Sequence, residues 1–145
     1  MPAAILNMMM RWDPQQKLLE IAKGYLDDGK PAGFQAAVVF SQMACEVSTE
    51  AAFTSIIKKR NLDFLQDAFD ELVPNYNLGN SRVRKLYVSL FGDQIQDARF
   101  WPQLQKHVER RNKVIHEGKE VRREEAEASL EVANNLITHL RERLR

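Results

Sequence analysis

The sequence predicts an all-α fold, an antiparallel helical bundle of four to six helices. Three observations carry that expectation. Apolar residues recur every three or four positions over long stretches, the mark of helices with one buried face. Proline and glycine punctuate these stretches at Pro14, Gly29, Pro74, Gly92, Pro102 and Gly118. No alternating β pattern, glycine-rich phosphate loop or internal repeat interrupts them.

Asp13-Pro14 reads as N-cap and first helical position, and Leu18, Leu19, Ala22 and Leu26 give the first helix its face. Gly29 to Gly33 is a tight break. A long helix follows from about Phe34 to Arg60, with Phe34, Ala37, Val38, Ser41, Cys45, Ser48, Ala52 and Ile56 in one stripe. Small residues there allow close helix approach. Its opposite side (Val39, Phe40, Met43, Val47) is apolar too, so the helix is either central to the bundle or covered by another chain. Leu62, Leu65, Ala68, Phe69 and Leu72 predict a short helix stopped by Pro74. Asn75 to Asn80 is a loop, and Ser81 is the expected cap of a second short helix through Val83, Leu86, Tyr87 and Leu90, ended by Gly92. Another helix starts near Trp101-Pro102 and stops at Gly118. The last begins at Arg122-Arg123-Glu124-Glu125-Ala126 and carries Leu130, Ala133, Ile137, Leu140 and Leu144.

A chain of 145 residues can bury a real core without cross-links. We expect one domain, residues 14–145, after an N-terminal extension, 1–13. The single cysteine, Cys45, permits no internal disulfide and no thiolate zinc cage; within an apolar run it reads as a buried, inert thiol. Met1 to Met10 is apolar but short and lacks a basic leader, so neither a signal peptide nor a membrane span is expected. The expected setting is cytoplasmic, with the N-terminus frayed or packed on a partner. A net charge of +1 argues against a broad basic face for duplex nucleic acid. The charge is uneven, however: residues 1–81 hold 7 basic and 10 acidic side chains, residues 82–145 hold 14 and 10. A local site for a few phosphates fits that distribution.

The candidate site is the segment Arg111-Asn112-Lys113-Val114-Ile115-His116. At about 100° per residue, Phe100, Trp101, Leu104, Val108 and Ile115 share one direction, and Arg111 points along it, while Arg110 points to the far side. A guanidinium taken out of water unpaired costs several kcal/mol. Arg111 therefore calls for an anion, either a carboxylate such as Glu46 across the bundle or a phosphate of a ligand. The two are compatible, since Glu46 would hold the guanidinium in its working orientation. His107 and His139 are expected at the surface or its boundary, and Trp101 and Phe100 in the packing. No cluster of His, Asp or Glu has metal-ligand spacing, so no metal or other cofactor is expected.

Arg111, the polar Asn112 and His116 five residues beyond the Arg resemble the hallmark of the HEPN superfamily (higher eukaryotes and prokaryotes nucleotide-binding). The order around them is similar as well. An Ala-rich helix carries an acidic residue (Gln42-Met43-Ala44-Cys45-Glu46), the motif helix follows, and an amphipathic helix comes last. The resemblance covers about Gln15 to Leu144, with its specificity in the motif. It implies a HEPN-like bundle and a metal-independent endoribonuclease, as in toxin or antiphage members, with RNA as substrate, a composite cleft in a homodimer and a cognate antitoxin or regulatory protein as partner. Some toxin members carry Tyr two residues after the His, where this chain has Gly118. Other members bind without cutting, which leaves an alternative: a non-catalytic RNA- or nucleotide-binding or protein-assembly module that keeps the motif for structure.

The residues suit that chemistry. RNA is cut without metal when its own 2′-hydroxyl attacks the adjacent phosphate. Such a reaction needs an acid or base that exchanges a proton near neutrality, a role an imidazole fills, and a fixed cation for the developing charge, a role a guanidinium fills; His116 and Arg111 are the candidates. Asn112, four residues before His116, lies on the same helix edge. Arg111 and His116 point about 140° apart on an ideal helix. They converge if the helix unwinds near Gly118 or if two protomers each present a pair.

Overall fold

The computed structural model describes residues 13–145, and among them the secondary structure is helical throughout, with no strand. Of the expected extension only Asp13 belongs to the described residues; Met1 to Met10 lies outside them. Asp13 is the N-cap of α1 (Pro14–Asp28), its carboxylate accepting from the Gln16 amide at 3.2 Å. Gly29, left-handed at φ 72°, closes α1 by donating to the Leu26 carbonyl.

The next helix, α2 (Pro31–Lys59), starts before the expected Phe34, because Pro31 is preset for a first helical turn. The break thus shrinks to Gly29 and Lys30. Gly33, inside α2, lies hard against α1: a Cβ there would sit 2.8 Å from the Tyr25 carbonyl oxygen. Helix α2 packs on α1 and on three later helices, α4 (Ser81–Phe91), α5 (Trp101–Glu117) and α6 (Arg123–Arg143). It is the central helix, which buries the stripe from Ala37 to Ile56; on its opposite side Val39, Phe40 and Val47 are half-buried and Met43 is exposed. A short helix, α3 (Gln66–Leu72), follows a single 3₁₀ turn at Asp63–Leu65 and ends before Pro74, whose ring disfavours helical backbone at Val73.

One cap differs from expectation. Helix α4 is capped by Asn80, not Ser81: the Asn80 side-chain oxygen Oδ1 accepts from the amides of Arg82 at 2.9 Å and Val83 at 3.3 Å. Ser81 is the first helical residue and is exposed.

The core has two parts. The larger joins α2, α4 and α6 through Phe53, Tyr87, Leu136 and Leu140, with Trp101 and Leu104 of α5. The smaller, at the other end of the bundle, gathers Leu26, Ala37, Val38, Val121 and Ala126, with Val114 packed on it. Here a second expectation fails. Val114, not Ile115, faces the interior; Ile115 is 50% exposed. The buried side of α5 follows Trp101, Leu104 and His107 and then turns toward α6, so that Arg110, expected on the far side, is drawn inward with Val114.

Candidate functional site

Helix α5 is positioned by polar bonds to both neighbours. His107 contacts Gln42 of α2, and Gln35, two turns earlier on α2, donates to the carbonyls of Gly118 at 3.2 Å and Lys119 at 2.7 Å. As α2 advances, α5 retreats, so the two are antiparallel. On the other flank His107 meets Ser129 and Arg110 meets Glu125, which makes α5 and α6 antiparallel as well.

His107 is fully buried, contrary to the surface or boundary place expected of it. Its Nδ1 lies 2.8 Å from Ser129 Oγ and its Nε2 lies 2.9 Å from Gln42 Oε1. Each direction of donation is fixed by the next group. The Gln42 amide nitrogen donates to the Glu46 carboxylate at 3.3 Å, so Gln42 presents its oxygen to His107. That oxygen only accepts, so His107 Nε2 carries the proton and Nδ1 accepts from the Ser129 hydroxyl. Ser129 Oγ in turn accepts from Arg110 Nη1 at 2.7 Å. The result is one directed chain from the Arg110 guanidinium to the Glu46 carboxylate. Burial, with the charges of Arg110 and Arg111, pushes the His107 imidazole down to about 3, so it stays neutral. Sequence spacing held the signal: His107 completes the i, i+3 series Trp101, Leu104, His107.

Arg111 lies beside this chain, half-buried, with its Nε out of reach of water and of any hydrogen-bond partner. Its Nη1 donates to Asn112 Oδ1 at 3.2 Å. Among the described residues no carboxylate comes within 4 Å of it. Arg110 differs, with Glu125 at 3.6 Å. The expected Arg111–Glu46 pair is not formed, and register gives the reason. Arg111 lies one turn beyond His107 in one direction, while Glu46 lies one turn beyond Gln42 in the other. At about 1.5 Å per residue the antiparallel pairing separates their levels by about 12 Å.

Asn112 and His116 are exposed on the outer edge of α5. Because Asn112 spends its oxygen on Arg111, its amide nitrogen is left as a donor. The helix does not unwind between the motif residues. It runs through Glu117 and ends at Gly118, left-handed at φ 63°, where the amides of Gly118 and Lys119 return to the carbonyls of Val114 and Lys113. Arg111 and His116 of one chain are therefore about 7.5 Å apart along the axis and about 140° apart around it. The structure brings Arg111 and Asn112 together; it brings neither to Glu46 nor to a hydrogen bond with His116.

The remaining candidates are structural. Cys45 is buried, and its thiol is pushed up to about 12 by burial and by the Glu46 charge. His139 donates to Asp93 at 2.7 Å, beside Tyr87 and Arg143, which ties α6 to the turn after α4. Trp101 is buried and Phe100 half-buried against the core. Among the described residues no group of three or more His, Cys, Asp or Glu side chains is placed to hold a metal ion, and no helix is long and apolar enough to cross a membrane. Comparison with known proteins returns no matching family model, no matching curated protein and no matching solved structure.

Proposed function

We propose that this chain is a metal-independent endoribonuclease of HEPN type, with Arg111 and His116 as its catalytic residues and Asn112 as a supporting donor. The observation that supports this best is the state of Arg111. It is drawn to the buried side of α5, has lost part of its hydration, and finds no carboxylate among the described residues. A phosphate oxygen would supply the missing anion, and the free amide of Asn112 would add a second donor. Glu46 enters only indirectly, as the acceptor that fixes Gln42 and hence the tautomer of His107.

In the reaction the 2′-oxygen of RNA bonds to the adjacent phosphorus while the bond to the 5′-oxygen breaks. One imidazole takes the 2′-hydroxyl proton and a second gives a proton to the departing 5′-oxygen. The Arg111 guanidinium faces the charge that builds on the phosphorane. Because α5 stays helical through Glu117, one chain does not aim both groups at one phosphate. A homodimer would supply two imidazoles and bring an Arg111 of one copy toward a His116 of the other. Two partly exposed apolar side chains, Met43 of α2 and Ile115 of α5, suit such an association.

The alternative, a non-catalytic RNA- or nucleotide-binding or assembly module, draws on the same unbroken helix, since a motif kept for structure needs no convergence. A cytoplasmic toxin or antiphage role, with a cognate antitoxin or regulator, belongs to the first reading. Incubating purified protein with mixed RNA in EDTA separates the two. Cleavage giving 2′,3′-cyclic phosphate and 5′-hydroxyl ends, with DNA left intact, supports the nuclease. An intact dimer that cuts no RNA under any condition leaves the binding module.

A further inference from the structure

A cleft of about 640 Å³ lies between the start of α5 and α6, with Val132 of the main core in its lining. Along α6 it runs from Ala128 to Glu142, about 21 Å at about 1.5 Å per residue. Its distinctive group is His139. The imidazole side chain is 13% exposed and lines the cleft. Its Nε2 donates to Asp93, whose carboxylate also accepts from the Tyr87 hydroxyl at 2.6 Å. With the proton of the neutral ring held on Nε2, Nδ1 is an acceptor. That nitrogen has no hydrogen-bond partner among the described residues and is not closed off from solvent. Phe100, also in the lining, stands edge-on to the same ring, 5.3 Å between centroids.

The other polar side chains of the lining are exposed and unspent. The Gln103 and Asn135 amides and the Thr138 hydroxyl enter no hydrogen bond among the described residues. Arg99 on one wall, and Glu131 and Glu142 on the other, form no ion pair among them. Charge therefore makes a poor basis for selection here. A phosphate-rich ligand meets two carboxylates, about 16 Å apart along α6, and a polyamine meets Arg99. What the lining offers instead is a mixture of hydrogen-bonding roles. His139 Nδ1 and the carboxylates only accept, Arg99 only donates, and the amides and the Thr138 hydroxyl do both. A ligand hydroxyl, donor and acceptor in one atom, suits every one of them.

We infer that the cleft between α5 and α6 binds a neutral ligand dense in hydroxyl groups, either a free sugar or the ribose of a nucleoside. One hydroxyl donates to His139 Nδ1, its neighbours meet the Gln103 and Asn135 amides, and Phe100 supplies an apolar surface for the C–H groups between them. Water already serves the exposed members of the lining, so each new hydrogen bond adds little and the affinity lies in the millimolar range. The site is separate from Arg111 and His116 and stands whether or not the chain cuts RNA.

The test is a titration of the full-length chain, followed in ¹H–¹⁵N correlation spectra, with ribose, glucose, galactose, mannose, adenosine and 2′-deoxyadenosine. At least one hydroxyl-bearing probe should shift the amide signals of Phe100, Gln103, Asn135 and His139 in a saturable way. Its affinity should fall at least fivefold in Gln103→Ala and in Asn135→Ala, exposed positions whose spectra also report that the fold is kept. Saturable binding of a free sugar identifies that source. Binding of adenosine but of no sugar, weakened at least fivefold in 2′-deoxyadenosine, identifies ribose. Equal binding of the two nucleosides with no sugar bound overturns the proposal, because the base is then the handle. Absence of saturable shifts at these residues with every probe, or unchanged affinity in both variants, overturns it as well.

Discussion

At the residue scale, His107 and Arg111 show how burial sorts charge along one helix. In the unfolded chain the His107 imidazole binds a proton below about 6.5; in the folded chain it stays neutral down to about 3. Between those values the unfolded state holds the extra proton, so stability falls as pH falls. Urea titrations from pH 7 to 4 should show wild type losing up to about 1.4 kcal/mol per pH unit more than His107→Gln, which has no proton to bind. Parallel curves would mean that His107 is protonated in the fold. Arg111 and Glu46, by contrast, should behave independently. Glu46→Gln and Arg111→Met should add to within about 0.5 kcal/mol in denaturant midpoints. A coupling of about 3–5 kcal/mol, the cost of stranding one charge of a buried pair, would restore the direct bridge that register denies. The sequence marked Arg111 as an arginine on a buried stripe because periodicity reports the direction of a side chain. It did not disclose the partner, because that depends on the level at which α2 and α5 pass each other.

At the element scale, caps and close contacts decide where helices begin and how near they come. Periodicity and punctuation located every α-helix of the described residues, and the departures lie at ends: Pro31 rather than Phe34 opens α2, and Asn80 rather than Ser81 caps α4. Asn80 and Ser81 are adjacent and of similar capping value, a choice only the backbone resolves, whereas α2 starts early because Pro31 is preset for a first helical turn. Ile115 was misplaced for another reason, since the buried side of α5 turns to follow α6 and no single helix stripe records its neighbour's path; His107, by contrast, was legible in the i, i+3 series Trp101, Leu104, His107. Gly33 gives a sharp test of the α1–α2 approach. A methyl group there meets the Tyr25 carbonyl at 2.8 Å, backbone that does not rotate away. Gly33→Ala should cost about 1–3 kcal/mol by chemical denaturation, the usual penalty of overpacking. A neutral or stabilising result, as expected for alanine in an open helix, would show that the helices lie farther apart.

At the scale of the whole molecule, the bundle sets the motif edge of α5 beside a buried polar chain that runs from α6 through α5 to α2. The unbroken α5 requires a second copy for two imidazoles to act on one phosphate. Light scattering at tens of micromolar should accordingly report twice the monomer mass, and a monomer would remove the composite cleft. The central claim is that His116 moves a proton during metal-independent RNA cleavage, and it is tested most directly by comparing wild type with His116→Ala in EDTA. His116 is exposed near the end of α5, so its loss should leave folding nearly unchanged while the cleavage rate drops about 10²–10⁴-fold, the usual share of a general acid or base. Undiminished cleavage by His116→Ala, or cleavage that appears only when Mg²⁺ is added, would contradict the account.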